Sequence, residues 1–151
     1  MNLQLKIPPL VVTLLFAGAI WLVARTGLVR FSLSGQGWIA ALLFGIGLAV
    51  AASGIYAFGQ ARTTVSPTRP EGASQLVTGD AYRLTRNPMY LGMALWLAAW
   101  AVLLGSFPSL VFIPLFVLYL NRFQIVPEER VMLQKFGDTY RNYQTRVRRW
   151  L

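Results

Sequence analysis

The stretch from Trp38 to Phe58 reads WIAALLFGIGLAVAASGIYAF and carries no charged residue. At 1.5 Å of rise per residue, a helix of that length crosses the ~30 Å hydrocarbon core of a bilayer. Gly45, Gly47 and Gly54, set among alanines, suit close packing of one membrane helix on another. Three more apolar blocks accompany it, from Pro8 to Ala24, Pro88 to Leu104 and Pro108 to Ile125. They are shorter, and each needs flanking residues or a covering of protein to complete a crossing. Gly105-Ser106-Phe107-Pro108-Ser109 separates the last two blocks and predicts a tight helical hairpin. Pro114 predicts a bend in the fourth block, because proline removes one backbone hydrogen bond.

Composition supports the bilayer reading. Of 151 residues, 56% are hydrophobic and 13% charged, against about a quarter charged in a soluble domain. The net charge of +9 is carried mostly by segments that flank apolar blocks. Orientation by positive loops and attraction to anionic lipid explain it better than nucleic acid, which is not expected as a partner. The chain has no cysteine and no histidine. That excludes disulfides, thiolate catalysis, imidazole bases and His/Cys metal sites, so no metal is expected. Trp21-Leu22-Val23-Ala24-Arg25 lacks a small-residue cleavage pattern, and the first block is expected to be a retained helix.

The predicted fold class is therefore all-α, an integral membrane helical bundle. It has about four transmembrane helices and a cytoplasmic C-terminal amphipathic helix. One membrane domain, 1–151, divides into two helices in 1–58, a cytoplasmic loop over 59–87, a hairpin over 88–125 and the last helix in 126–151. With the amino terminus inside, all of the 14 basic residues except Arg25 and Arg30 fall inside. These are Lys6, then Arg62, Arg69, Arg83 and Arg86, then the run from Arg122 onward. Both termini are thus expected in the cytoplasm, and the small size points to a prokaryotic inner membrane.

The loop holds Pro67, Pro70, Gly72 and Gly79, which predicts irregular backbone. A loop this long in a compact protein is usually functional. In the tail, Phe136, Tyr140, Tyr143, Val147 and Trp150 recur at helical spacing and predict one apolar face, with Asp138 as a cap. Arg141, Arg146, Arg148 and Arg149 fall beside or opposite that face.

Two polar clusters stand at helix ends on the same predicted side, joined by the hairpin. The first includes Arg86-Asn87-Pro88-Met89-Tyr90. Read locally it is a helix start, with Asn87 as cap and Pro88 in the first turn. The second is Pro127-Glu128-Glu129-Arg130, in a chain with only 5 acidic residues. Read locally it is an acidic first turn complementing a helix dipole. Together they bring arginines, an asparagine, tyrosines and two carboxylates to one cavity at a membrane boundary. Carboxylates hold ammonium or ribose hydroxyl groups, and arginines hold carboxylates.

The run Leu76-Val77-Thr78-Gly79-Asp80-Ala81-Tyr82-Arg83-Leu84-Thr85-Arg86-Asn87-Pro88-Met89-Tyr90-Leu91-Gly92 resembles a signature of the isoprenylcysteine carboxyl methyltransferase and phospholipid methyltransferase group. Glu128-Glu129-Arg130 with Leu133, Phe136-Gly137-Asp138-Thr139-Tyr140 and Tyr143 resembles that group's second signature. The resemblance covers about residues 63–151. It implies methyl transfer from S-adenosylmethionine to a membrane lipid or lipidated acceptor. It further implies a cofactor pocket of Arg86, Asn87, Pro88, Tyr90, Glu128, Glu129, Tyr140 and Tyr143, with Glu128, Glu129 and Arg130 nearest the chemistry. Many members have histidine where this chain has Asn87, while phospholipid-methylating relatives often have asparagine. Asparagine bonds but does not titrate. Two alternatives stand beside this reading: a nicotinamide-dependent membrane reductase, although no dinucleotide glycine fingerprint is present, and a non-catalytic membrane scaffold.

Overall fold

The computed structural model describes residues 4–61, 72 and 74–151. Five α-helices account for most of them: α1 (Pro9–Arg25), α2 (Gln36–Gln60), α3 (Pro88–Leu104), α4 (Phe112–Leu120) and α5 (Val126–Arg146). Short 3-10 turns at Asp80–Arg83 and Pro108–Val111 lead into α3 and α4. The expectations for Arg62, Pro67, Arg69 and Pro70 in the loop lie outside the described residues. Among the described residues there is no strand, only an isolated antiparallel bridge between Arg30 and Ser106.

The sequence places the start and end of α3 correctly for reasons visible in its backbone. Pro88 occupies the first turn, where its missing N–H leaves no bond unmade. Gly105 closes the helix at φ +61, in the left-handed region that glycine adopts freely. The side chain of Gln36 then donates to the Val102 and Leu103 carbonyls at 2.8 and 3.1 Å, satisfying two terminal acceptors.

α3 is the axis of the bundle, with α2 packed along it and α1 and α4 also against it. α2 turns its small residues Ala40, Gly47, Ala51, Gly54 and Ala57 inward. The approach is closest at Gly92, where an added Cβ would stand 2.5 Å from the Gly47 carbonyl oxygen and 2.8 Å from Ala51 Cβ. Gly54 meets Pro88 and Met89, whereas Gly45 faces open space. The expected packing role thus falls to Gly47 and Gly54 and not to Gly45. On the other side, Val12 and Ile20 of α1, Leu97 and Tyr90 of α3, and Phe116 and Leu120 of α4 form a buried apolar cluster.

The outward faces are apolar too. Leu14, Leu22, Leu42, Leu48 and Ile55 are each more than half exposed, a surface that lipid covers and water does not favour. The protein is a membrane helical bundle. Among the described residues two helical stretches are long and apolar enough to cross a bilayer, Gln36–Gln60 and Pro108–Arg146, while Pro9–Arg25 and Pro88–Leu104 are shorter apolar helices.

The second half departs from expectation in four places. The boundary expected at 125/126 is not a break, because a π-turn at Asn121–Ile125 joins α4 directly to α5. The interruption comes later, at Gly137, whose φ of 52 and ψ of −127 are non-helical. Pro114 lies in the first turn of α4, directly after the 3-10 segment, where proline is tolerated. Finally, α5 ends at Arg146 and Val147 is extended. Phe136, Tyr140, Tyr143 and Val147 therefore share one cluster with Val77 and Tyr82, while Trp150 turns away into the α1–α3–α4 cluster.

Candidate functional site

One end of α3 gathers the polar residues. Thr85, Arg86 and Asn87 precede its first turn, and Tyr90 is the third residue of the helix, 5% exposed. The π-turn delivers Gln124 inward, and the first turn of α5 presents Glu128 and Glu129 beside it. The segment after α5 crosses over the top: the Arg86 N–H donates to the Arg148 carbonyl at 2.9 Å. Asn87 does not cap α3 with its side chain, as the sequence suggested. Its amide Nδ2 donates instead to the Arg149 carbonyl at 2.9 Å, and its N–H donates to Thr85 Oγ1 at 3.2 Å.

The two adjacent carboxylates have different surroundings. Glu129 accepts from two guanidinium groups: Arg86 Nη2 at 2.8 Å, and Arg149 through Nε at 3.0 Å and Nη2 at 2.6 Å. Those bonds hold the Arg149 guanidinium above its ordinary pKa. Glu128 accepts from neutral donors, the Tyr90 hydroxyl and Gln124 Nε2, both on Oε1. Helical periodicity explains the split, since neighbouring residues point about 100° apart. Arg86 also donates through Nη1 to the Gln144 and Val147 carbonyls at 3.1 and 2.8 Å. Its Nε is buried with no acceptor. A buried donor left without a partner is unfavourable and is rare in folded proteins.

Of the residues singled out from sequence, Arg86, Asn87, Pro88, Tyr90, Glu128 and Glu129 converge here. Tyr140 and Tyr143 stand next to them in the aromatic cluster, ring centroids 6.1 Å apart. The Tyr143 hydroxyl donates to the Tyr82 carbonyl at 2.7 Å, tying α5 to the turn that leads into Arg86. Burial pushes the Tyr82 hydroxyl well above its usual pKa. Arg130 is exposed and is not brought into the cluster. Arg149, Gln124 and Thr85 belong to it but were not singled out. Gln124, 3% exposed, had one available signal, an amide set in an apolar block just before Pro127. Among the described residues no group of acidic, histidine or cysteine side chains is arranged to hold a metal ion.

The chemistry the arrangement supports is recognition of a small group bearing both charges, with one carboxylate kept among neutral donors. Comparison with known proteins bears on what that group is. The sequence profile of phospholipid methyltransferase matches residues 36–139. A Haemophilus influenzae protein described only as uncharacterized is 46% identical over 63 residues, 42% of this chain and 100% of that protein. The protein-S-isoprenylcysteine O-methyltransferase of Schizosaccharomyces pombe is 37% identical over 75 residues, 48% of this chain and 30% of the yeast protein. No solved structure matches. The profile spans α2, α3, α4, the π-turn and both carboxylates of α5, so the chain belongs to the phospholipid methyltransferase family of membrane methyltransferases.

Proposed function

We propose that the chain transfers a methyl group from S-adenosylmethionine to a lipid or lipid-like acceptor, a carboxylate or an amine, at the cytoplasmic face of the membrane. The observation that carries the proposal is the closing of Arg86, Asn87, Tyr90, Glu128 and Glu129 onto one polar end of an otherwise apolar bundle. The donor set fits an amino-acid zwitterion. Guanidinium N–H groups suit its carboxylate, the paired glutamates suit its ammonium, and the buried Arg86 Nε is a donor without an acceptor. Arg86, Asn87, Tyr90 and Glu129 are the residues assigned to hold it, with Pro88 fixing the start of α3 behind them.

When bound, S-adenosylmethionine supplies an already activated methyl group, so the chain has mainly to orient the acceptor and exclude water. Trp150 and the apolar cluster behind Tyr90 keep water from one side of the site. A carboxylate acceptor needs no base. An amine acceptor must lose a proton, and Glu128 Oε2 is the atom that takes it, since Oε1 already accepts from Tyr90 and Gln124 and the two guanidinium groups on Glu129 make that carboxylate the poorer base. Tyr90 and Gln124, by holding Oε1, orient the carboxylate. The cytoplasmic placement rests on Arg83, Arg86 and the basic residues of α5 gathering at the same end.

The test is calorimetric binding of S-adenosylmethionine and S-adenosylhomocysteine to the protein in lipid nanodiscs, followed by transfer of labelled methyl to lipid acceptors. Saturable binding of both is expected, weakened sharply by Glu129→Gln. No binding by folded wild-type protein overturns the proposal and favours a reductase or a scaffold.

A further inference from the structure

The segment Val147–Leu151 begins extended, at φ −122 and ψ 130, and runs back along the residues preceding α3. Its backbone is fixed at several points. The Arg148 carbonyl accepts from the Arg86 N–H, and the Arg149 carbonyl accepts from both Thr85 Oγ1 at 3.1 Å and Asn87 Nδ2 at 2.9 Å. Trp150 fastens the far side, its indole N–H donating to Asn121 Oδ1 at 3.0 Å while its ring packs into the apolar cluster. With the backbone held on both sides, the Arg149 side chain is delivered onto Glu129. It makes a fork there, with Nε on one carboxylate oxygen and Nη2 on the other. A planar guanidinium makes such a paired contact, and an ammonium on a flexible stem does not.

Arg86 reaches the same carboxylate from the inner side by a single Nη2 contact. The two arginines differ in exposure. The Arg86 and Glu129 side chains are 11% and 13% exposed, and Arg149 is 36% exposed. Arg149 is thus the water-facing wall of a carboxylate that is otherwise enclosed. It lies beyond residues 36–139, the part matched by the family profile.

We propose that Arg149 is a positioning residue, whose fork fixes the plane of the Glu129 carboxylate, and that Val147–Leu151 is the strap that carries it there. The proposal rests on reading Glu129 as part of the cofactor pocket. The last torsion of a glutamate side chain is broad, so a carboxylate held through one oxygen rotates readily. Bonds to both oxygens stop that rotation before the ligand arrives, which lowers the ordering cost of binding.

The test uses the full chain in nanodiscs and three variants, Arg149→Lys, Arg149→Gln and Arg148→Gln. Each is followed by thermal unfolding, by S-adenosylhomocysteine calorimetry and by the infrared carboxylate band isolated as wild type minus Glu129→Gln. Arg149→Lys keeps the charge and removes the fork. It is expected to shift that band in the ligand-free protein and to weaken ligand binding about tenfold, with melting close to wild type. Arg149→Gln is expected to weaken binding at least as much. Arg148→Gln, where only the backbone carbonyl takes part, is expected to bind as wild type does. Wild-type affinity in Arg149→Lys, or an unshifted carboxylate band, overturns the positioning role while leaving the cofactor reading intact. Absence of ligand binding by the wild-type protein overturns the cofactor reading itself.

Discussion

Glu128 and Glu129 are neighbours in sequence and opposites in environment. One accepts from a phenol and an amide, the other from two guanidinium groups. Tyr90→Phe removes only the hydroxyl that bonds Glu128 and leaves the ring in the apolar cluster. Losing one bond to a charged partner is worth roughly 1.5–3 kcal/mol, so melting should fall modestly, and methyl transfer by the folded protein should fall about ten- to a hundredfold. An unchanged transfer rate would make the Tyr90 hydroxyl a packing detail. Much of this was legible in the sequence, because acids and an arginine set just before a helix-starting proline are chemical exceptions in so apolar a chain. What was not legible is which acid does what, since that depends on side-chain direction around a helix. Arg149 was hidden for another reason. It is one of several arginines near the end of α5, and only the extended turn at Val147 separates it from the exposed Arg146 and Arg148.

At the scale of elements, the joint between α2 and α3 depends on the absence of side chains. Gly92→Leu would drive a Cβ to 2.5 Å from the Gly47 carbonyl oxygen, and backbone has little room to yield. Overpacking of this kind is worth roughly 1–3 kcal/mol, measurable as a lower melting temperature in nanodiscs. Gly45→Ala is the matching control and should melt no lower than wild type, because nothing lies near its Cβ position and alanine favours the helix. The apolar blocks revealed α2 and α3 with boundaries close to those observed, since proline, glycine and apolar length mark them. They could not reveal the π-turn at Asn121–Ile125, which replaces an expected helix boundary and has no residue signature of its own. Nor could they show that Gly137 is the true interruption. There a conformation that side chains rarely adopt re-aims the second half of α5 and turns Tyr140 and Tyr143 onto Tyr82.

Across the whole molecule, the two ends of the bundle differ in kind. One is closed by Gln36, Gly105 and the Arg30–Ser106 bridge, and the other by the arginine and glutamate cluster. The chain has no native cysteine, so single cysteines report each end cleanly. Leu28→Cys and Thr145→Cys, both at exposed positions, should react with a membrane-impermeant maleimide from opposite sides, Thr145→Cys from the cytoplasmic one. Labelling of both from the same side would overturn the orientation drawn from charge.

The Arg86–Glu129–Arg149 linkage also sets a schedule. Arg86 precedes Glu129 by 43 residues, and Arg149 follows Glu129 by 20. A ribosome adding about 5–20 residues per second delivers the carboxylate roughly 2–9 seconds after the first guanidinium, and the second guanidinium about 1–4 seconds later. During that interval Arg86 has no Glu129 to pair with. The polar end therefore cannot close until the whole α3–α4 hairpin has been made, and Arg149 is the last of the three to arrive.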